Sequence, residues 1–379
     1  MIESPQSLAL VRNALSIRYD LDAGDLDSRI AIVGASSEGQ RLARIIKERG
    51  ASLAAWVDDN YDVLNIEGSY IEPFGAIASL DRSIPIVIAS HRVLDAQKRA
   101  RALGFTRVFP FAVLQILRPD IYPPHMFYEG ILEDLLDNTE QYKWLMGELA
   151  DERSRAVLFG AMHFRLTWDA CAALEPIVER ETLYHPHDEF GSSLFMFAPD
   201  EVYVDAGAFD GDSIRAFIKR THGRYERIIA FEPDPMTCAR LCESFGDERM
   251  EGRFDLYSSA LYSQCADVPF QADGARGARC AIDGCAFVPA VALDNVLNGE
   301  RVSFIKMNIE GSEREALMGA GETIARWLPK LAISVYHRPS DLWQIARDIR
   351  EIDPHYSLFL RQHDGGIIET VLYALPRYS

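Results

Sequence analysis

The sequence predicts an α/β protein in which two β/α regions are joined by a helical segment. Short apolar runs alternate with amphipathic helical stretches within residues 1–121, from Ile30 onwards, and again in residues 201–379, which is the pattern of βαβ units. Residues 122–200 instead show long helical periodicity without a convincing strand. A chain of 379 residues is also too long for one ordinary core. We therefore expect a smaller Rossmann-like N-terminal domain, a helical connector and a larger C-terminal domain over these three ranges.

The composition and the pattern of apolar residues favour a globular cytoplasmic protein without a nucleic-acid partner. The net charge is −18 and Lys and Arg form no dense run, which argues against a nucleic-acid partner. No apolar stretch approaches the roughly 20 residues needed to span a bilayer. The N-terminus lacks the basic and apolar regions of a signal peptide. The six cysteines are scattered, without the spacing of a disulfide framework.

The N-terminal region is expected to contain four strands, at residues 29–33, 53–57, 85–89 and 107–111, with helices over 40–49 and 93–103. Residues 34–39 follow the first strand with the pattern GxSxxG, and Asp58 lies 24 positions after Gly34. Ser36, however, replaces the glycine that lets a pyrophosphate approach closely. Binding of NAD, binding of a nucleotide sugar and a dimerisation role without a ligand therefore stay open.

The C-terminal region is expected to form a seven-stranded sheet. Its strands are expected at 202–205, 227–231, 254–259, 302–307, 330–335, 357–361 and 370–374, with helices over 213–219, 235–245, 313–320 and 342–352. Residues 362–369 are too few for a crossover, because a connection between parallel strands needs a dozen or more residues. The last strand is therefore expected to pair antiparallel.

Two turns at the carboxyl ends of the first two strands of this sheet predict a ligand site. Asp205 to Gly211 form a glycine-bearing turn, in which Gly207 lets the backbone approach a ligand and Asp205 can meet a cationic amine. Glu232 follows Gly207 by 25 positions, a spacing at which an acidic residue typically accepts ribose hydroxyls. The alternative for Glu232 is an ordinary helix-start carboxylate favoured by the helix dipole.

Polar residues also end the fourth and fifth strands. Lys306, Asn308 and Glu310 alternate with apolar residues, so we expect them on one face of the strand end, at a candidate functional site. His337 ends the next strand, where an imidazole could take a proton from a hydroxyl. The alternative for His337 is a helix-capping or surface histidine.

Taken together, residues of about 150–379 resemble the FkbM family of S-adenosylmethionine-dependent methyltransferases. The segments that carry this resemblance are Val204-Asp-Ala-Gly-Ala, Ala230-Phe-Glu-Pro-Asp-Pro, Val291-Ala-Leu-Asp-Asn, Ile305-Lys-Met-Asn-Ile-Glu-Gly-Ser-Glu and Pro329-Lys-Leu-Ala-Ile-Ser-Val-Tyr-His. A parallel sheet closed by one reversed strand is also the architecture of class I methyltransferases. One residue departs from the family pattern, since Asn308 stands where aspartate is usual, and the lost charge puts a carboxylate or metal-ligand role there in doubt.

The resemblance implies S-adenosylmethionine as the cofactor and O-methylation of a hydroxyl on a sugar, a polysaccharide precursor or a natural product. It assigns Asp205, Gly207 and Glu232 to the cofactor. Our expected cofactor-binding set also includes Ala208, Asp210, Pro233, Ser259, Ala260 and Asn308.

For catalysis we expect His337 as the base and Lys306 and Glu310 as residues that position the acceptor, without a metal ion. A homo-oligomer formed through the N-terminal domain is a further expectation. The alternatives are an NAD(P)-dependent Rossmann protein and a non-catalytic protein that keeps the pockets.

Overall fold

Two principal β-sheets, each in its own unit of the chain, organise this computed structural model, which describes residues 4–21, 29–64, 66, 68–124, 126–271, 279–280 and 286–377. The first unit comprises residues 1–142, 156–178 and 364–368, and the second comprises residues 143–155, 179–363 and 369–379. The expected connector of residues 122–200 therefore divides between the units. The reason is that its helices serve two cores: Phe164 and Trp168 belong to the apolar core of the first unit, whereas Leu149 bridges to Leu358 in the second.

The N-terminal unit contains a four-stranded parallel sheet with the order β2-β1-β3-β4. Its strands are β1 (Ile30–Val33), β2 (Leu53–Val57), β3 (Ile86–Ile88) and β4 (Val108–Pro110). All four lie where the sequence predicts them, to within two residues at each end. The helices in this part of the chain are α1 (Ser4–Tyr19), α2 (Ser37–Glu48), α3 (Val93–Ala102), α4 (Ala112–Leu117), α5 (Ile131–Asp137), α6 (Thr139–Glu148), α7 (Glu152–Thr167) and α8 (Ala170–Ala173).

The C-terminal unit contains a seven-stranded sheet with the order β14-β15-β13-β12-β5-β6-β7. The strands are β5 (Val202–Ala206), β6 (Arg227–Phe231), β7 (Phe254–Tyr257), β12 (Phe304–Met307), β13 (Lys330–Ser334), β14 (Tyr356–Gln362) and β15 (Thr370–Pro376). The pairs from β7 to β13 are parallel, and β15 pairs antiparallel with both β13 and β14.

Among the residues that the structure describes in this unit, seven helices lie between or beside the strands of the sheet. They are α9 (Asp212–Arg220), α10 (Pro235–Ser244), α11 (Gly246–Met250), α12 (Leu293–Leu297), α13 (Glu313–Met318), α14 (Gly321–Trp327) and α15 (Asp341–Ile352). A second, smaller sheet follows β7 and was not expected from the sequence. It consists of β8 (Ala260–Leu261), β9 (Ala266–Gln271), β10 (Arg279–Cys280) and β11 (Ala286–Val291).

The turn between β6 and α10 shows how the local sequence fixes an element that positions the site. Asp234 is the N-cap of α10: its carboxylate accepts hydrogen bonds from the Met236 amide at 3.2 Å and the Thr237 hydroxyl at 2.6 Å. Pro235 occupies the first helical turn, where its missing N–H leaves no hydrogen bond unmade. These contacts fix the backbone that directly follows Glu232.

Membrane insertion through a helix finds no support in the described part of the chain. Across these residues, every helix is too short or too polar to cross a bilayer.

Candidate active site

The carboxyl ends of β5, β6, β7, β12 and β13 lie at one edge of the seven-stranded sheet. The strand order changes direction between β5 and β12, since β6 lies on one side of β5 and β12 on the other. Open α/β sheets bind ligands in the crevice outside such a switch point. We call this place the switch-point crevice, and the loops that follow these five strands form its walls.

The turn after β5 is shaped by a close approach of two backbone segments. Gly207 has a φ of +78°, and a Cβ atom at this position would lie 2.0 Å from the carbonyl oxygen of Asn308. The Asn308 amide in turn donates to the Ala206 carbonyl at 3.1 Å. Gly207 is therefore required by the loop after β12. We expected Gly207 to make room for a ligand. The structure corrects this expectation, because the atoms for which Gly207 makes room belong to the protein backbone at Asn308.

Glu232 ties the turn after β5 to the turn after β6. Its carboxylate accepts hydrogen bonds from the Phe209 amide at 3.0 Å and from the Asp234 amide at 2.9 Å. Burial raises the pKa of this carboxyl, while the two amides and the Lys306 charge oppose that rise. Each carboxylate oxygen has a second lone pair that can accept a ligand hydroxyl.

The other expected cofactor residues surround these turns at different depths. Ala208 is buried and its amide donates to the Phe231 carbonyl at 3.1 Å, whereas Asp210 is exposed and lies 3.5 Å from Arg215. Pro233 is half-buried beside Glu232. Ser259 and Ala260, directly after β7, are buried. The Ser259 hydroxyl has no hydrogen-bond partner among the residues that the structure describes.

Asp205 and Lys306 differ from their expected places, because they bind each other inside the unit. The Lys306 ammonium lies 2.8 Å from the Asp205 carboxylate and donates to the Gly207 carbonyl at 2.7 Å. Asp205 also accepts hydrogen bonds from the hydroxyls of Tyr203 and Ser213. Both charged side chains are buried. Asp205 is thus committed to protein donors rather than to a ligand amine, and Lys306 does not reach an acceptor.

Asn308 and Glu310 follow Lys306 in sequence but do not share its face. β12 ends at Met307, so the two-residue alternation stops there. Asn308 is half-buried and accepts a hydrogen bond from the Tyr336 hydroxyl at 3.2 Å. Glu310 has a φ of +54°, a left-handed conformation that is uncommon for a residue with a side chain and that marks a tight turn.

His337 is surrounded by carboxylates. Its Nδ1 lies 2.8 Å from Glu313 and its Nε2 lies 3.7 Å from Glu310. Burial lowers the pKa of His337, but the two carboxylates outweigh burial and raise the pKa to about 10. His337 is thus a cation at neutral pH. The expectation that it serves as the base is corrected, because a protonated imidazole cannot accept a proton.

Glu313 anchors this cluster to the loop after β12. It is buried, and its carboxylate oxygens accept the amides of Ile309 at 2.8 Å and Gly311 at 3.0 Å. Burial opposes the ionised form, but the charge and hydrogen bond of His337 lower the pKa of Glu313 overall. Glu313 therefore holds both the loop and the imidazolium.

Glu313, His337 and Asp341 also offer ligand atoms that lie within 4.8 Å of one another, as a metal site requires. In the absence of an ion, a proton on His337 supplies positive charge to this cluster. Burial and the Glu313 charge raise the pKa of Asp341 to about 7, so this carboxyl carries a proton over part of the neutral range. We interpret the cluster as one held together by protons.

The turn at residues 34–39 of the N-terminal unit forms its own internal contacts. The Asp58 carboxylate accepts the Ala35 amide at 2.8 Å, and the Trp56 indole donates to the Gly34 carbonyl at 2.9 Å. Gly34 has a φ of +108°, and a Cβ there would lie 2.5 Å from the Ala89 carbonyl oxygen. Asp58 thus supports the turn itself. No contact in the described chain distinguishes the three open roles of this unit.

Sequence reasoning missed several side chains that complete the switch-point crevice. Tyr184 is buried, and the Lys306 ammonium lies 5.4 Å from the centre of its ring. Tyr184 precedes the β/α region and no periodic pattern connects it to the sheet. Glu313 and Asp341 begin helices, and in the sequence they resemble ordinary helix-start acids.

The fold and the crevice define an α/β protein of the methyltransferase type. Residues 205–363 match the family model described as the methyltransferase FkbM domain. The resemblance found in the sequence is therefore confirmed for residues 205–363, which lie in the second unit.

One of the solved structures that resemble this chain agrees with this assignment over almost its whole length. The crystal structure of methyltransferase FkbM from Methylobacillus flagellatus is similar over 98% of this chain and 99% of that chain, with 25% identity and a TM-score of 0.73. An rRNA methylase from Streptococcus thermophilus matches at 16% identity over 48% of this chain and 90% of its own, with a TM-score of 0.33. Fibrillarin from Aeropyrum pernix with bound S-adenosyl-L-methionine matches at 12% identity over 47% and 66%, with a TM-score of 0.31. The last two similarities are too low to support a conclusion about this chain. No curated protein matches it.

Proposed function

We propose that the protein is an S-adenosylmethionine-dependent O-methyltransferase that acts on a hydroxyl of a sugar, a polysaccharide precursor or a natural product. The observation that carries this proposal is the Glu232 carboxylate, which the amides of Phe209 and Asp234 fix at the switch-point crevice. A carboxylate held in this way presents acceptor positions side by side to the two hydroxyls of a ribose. The order of the seven strands, with β15 reversed, supports a class I methyltransferase architecture.

The residues around the crevice fit this cofactor. The Ser259 hydroxyl is buried without a partner in the described chain, so a ligand with polar ring edges would satisfy it. Glu232 would hold the ribose, and the turn from Gly207 to Asp210 would lie against the rest of the cofactor. When bound, S-adenosylmethionine supplies a methyl group on a sulfonium. The buried Asp205–Lys306 pair supports this turn from the protein interior, because the Lys306 ammonium holds the carbonyl oxygen of Gly207.

On the acceptor side, Glu310 and Asn308 are the residues that can contact a hydroxyl. The Glu310 side chain is partly exposed, unlike Glu313 and His337. We assign Glu310 as the group that accepts the hydroxyl proton and Asn308 as a hydrogen-bonding group that orients the acceptor. His337 is a positioning residue, since its positive charge holds Glu310 and Glu313 in place. Alignment of the reactants supplies most of the rate, as is usual for a displacement between two bound molecules.

Methyl transfer can be measured with S-adenosylmethionine that carries a labelled methyl group and with pools of hydroxylated acceptors. We expect label in a product whose methyl carbon has the NMR shift of an ether and whose bond survives mild alkali. An alkali-labile product would identify a carboxyl acceptor, and an N–CH3 shift would identify an amine; both outcomes contradict O-methylation. Failure of all pools together with failure to bind the cofactor would remove the proposal altogether.

The NAD(P) alternative is separable from this assay. Nicotinamide cofactors titrated into the protein should give no heat that depends on residues 34–39, because Asp58 and Ala35 bind each other there. Saturable NAD(P) binding that is lost on Asp58→Ala would favour the oxidoreductase alternative.

A further inference from the structure

A second cavity lies in the C-terminal unit, away from the switch-point crevice. Its volume is about 340 Å³, and it is lined by Ser193, by residues 195–199, by His185 and by the residues that end and follow α9. None of the residues discussed for methyl transfer lines it. We call it the α9-end cavity.

The α9-end cavity lies at the edge where the strands begin. α9 starts beside the turn after β5, where the Gly211 amide donates to Ala208, and runs back along the sheet. Just beyond its end, the Glu226 amide donates to the Glu201 carbonyl at 2.9 Å, directly before β5. A strand rises about 3.3 Å per residue, so the length of β5 places the two edges roughly 15 Å apart. A ligand in this cavity is therefore distinct from the methyl acceptor.

Two exposed guanidinium groups give the cavity a positive charge. Arg220 and Arg224 line it, and neither forms an ion pair with any residue in the described ranges. Nearby arginines do have partners: Arg215 lies beside Asp210, and Arg227 lies beside Asp255 and a second carboxylate. In a chain with a net charge of −18, two unpaired guanidinium groups at one cavity are a local exception. Guanidinium groups bind phosphate through paired, charge-assisted hydrogen bonds.

His185 adds a buried acceptor to the same cavity. The residue is 7% exposed, and its Nδ1 lies 3.1 Å from the Leu183 carbonyl oxygen, which can only accept. The proton of the neutral ring therefore resides on Nδ1, and Nε2 is left as an acceptor. Burial first, and the Arg220 charge second, lower the pKa of His185 to about 4, so the ring is neutral at physiological pH. Nε2 is buried and no described residue donates to it. A ligand hydroxyl would satisfy it.

The remaining wall is aromatic. The Phe197 ring packs edge-on against His185 with centroids 5.2 Å apart, and Phe195 packs against Phe197 at 5.4 Å. Both phenylalanines line the cavity and are only half-buried, so parts of their faces are open. An apolar wall beside a hydroxyl acceptor and a phosphate-binding pair suits a ring with C–H faces, hydroxyl edges and an attached phosphate.

We propose that the α9-end cavity binds a phosphorylated sugar, with the phosphate on Arg220 and Arg224, the ring against Phe195 and Phe197, and a hydroxyl donating to His185 Nε2. This site goes beyond the proposed methyl transfer, because it uses none of the crevice residues. A phosphorylated sugar bound there would tether or regulate the enzyme rather than receive the methyl group.

The test is isothermal titration of the full chain with glucose 1-phosphate. We expect saturable binding, with inorganic phosphate and glucose each at least about tenfold weaker. Arg220→Ala and Arg224→Ala should each weaken binding by about tenfold or more, since each removes a charge-assisted contact. Lys219→Ala is the matched control, because it removes one positive charge from an exposed position on the same helix and should change affinity less than twofold.

Two variants separate the role of His185 in binding from its role in folding. His185→Asn keeps a donor for Leu183 but lacks an atom at Nε2, whereas His185→Gln places an acceptor near Nε2. We expect the His185→Asn variant to lose binding of glucose 1-phosphate and the His185→Gln variant to retain part of it. Both variants should keep the affinity for S-adenosylmethionine. Absence of saturable binding, equal affinity for phosphate and glucose 1-phosphate, or unchanged affinity in the arginine variants would each overturn it. Because the affinity for S-adenosylmethionine is measured in parallel, failure of the sugar-phosphate proposal is distinguishable from failure of the methyltransferase proposal.

Discussion

The Lys306 ammonium lies 2.8 Å from the Asp205 carboxylate inside the C-terminal unit, and the two residues are neighbours in the register of β12 and β5. The pair links the strands on either side of the switch point. Since Lys306 also donates to the carbonyl oxygens of Ala206 and Gly207, its charge is fully used within the protein. The pair is therefore a structural support of the crevice.

Lys306→Met should destabilise the protein by about 3–5 kcal/mol, because it leaves the Asp205 carboxylate buried without its counter-charge. The double variant Asp205→Asn with Lys306→Met should lose less, since neither charge is then stranded. Urea unfolding of the two variants and of the surface control Lys219→Ala gives the comparison. A loss below about 1 kcal/mol for Lys306→Met would show that water reaches the pair.

Gly207→Ala should unfold the protein or abolish its affinity for the cofactor, because the new Cβ would lie 2.0 Å from the Asn308 carbonyl oxygen. Gly223→Ala is the matched control: Gly223 also has a positive φ, +72°, but no atom lies within 4 Å of a Cβ at its position. The control should cost only the strain of a left-handed alanine, about 1–2 kcal/mol. Equal melting temperatures for the two variants would contradict this account of the turn.

Most of the fold could be predicted from the sequence because burial on both faces makes parallel strands continuous apolar runs. All five residues of β5 are buried, as are all four of β12, and both were located to within two residues. The small sheet from β8 to β11 was not found, because β8 and β10 have only two residues each and a proline interrupts each of the longer strands, Pro269 in β9 and Pro289 in β11. The division of residues 122–200 between two units was not found either, since helical periodicity shows which face is apolar but not which core receives it.

His337 makes stability depend on pH above neutrality. Its pKa in the folded protein, about 10, lies above the value of about 6.5 for an unfolded chain, so the folded state favours the protonated form. The resulting stabilisation is complete below pH 6.5 or so and is lost progressively as the pH rises towards about 10. The Asp341 carboxyl has a pKa of about 7, so its effect on the free energy of unfolding is confined to lower pH.

The measurement is the free energy of unfolding in urea from about pH 7 to about pH 10 for the wild type and for His337→Gln. The wild type should lose stability more steeply over this window than the variant. Parallel curves for the two proteins would mean that His337 is not held as a cation.

Glu310→Gln should reduce turnover of an identified acceptor by roughly 100-fold, the usual contribution of a positioned proton acceptor. Affinity for the cofactor and the melting temperature should be unchanged, because Glu310 lies at the partly exposed end of the cluster. Glu322→Gln, an exposed position on α14, serves as the control. EDTA should leave turnover unchanged, since the His337 proton supplies the positive charge of the cluster. Full turnover by Glu310→Gln would contradict the assignment.

The sequence predicts where the candidate site lies but not what each of its residues does there. The carboxyl ends of parallel strands meet at one edge, so motifs at strand ends identify the crevice. Whether a polar side chain at a strand end faces a ligand or its own neighbours depends on register across strands. Lys306 is an example: its partner Asp205 lies about 100 positions away in the sequence, and no local pattern connects them. His337 is another, because its charge depends on Glu313, which a sequence pattern assigns to a helix start.

The most direct test of the account is calorimetric titration of S-adenosylmethionine into the wild type, Glu232→Gln and the control Glu243→Gln on the exposed side of α10. Glutamine keeps the shape of the Glu232 side chain but loses its charge and one of its acceptor oxygens. The wild type and the control should bind alike, and Glu232→Gln should bind at least about tenfold more weakly. Its melting temperature should fall slightly, because one of the amides of Phe209 and Asp234 loses its acceptor, but the protein should remain folded. Wild-type affinity in Glu232→Gln, or a wild type that does not bind, would contradict the placement of the methyl donor at the switch-point crevice.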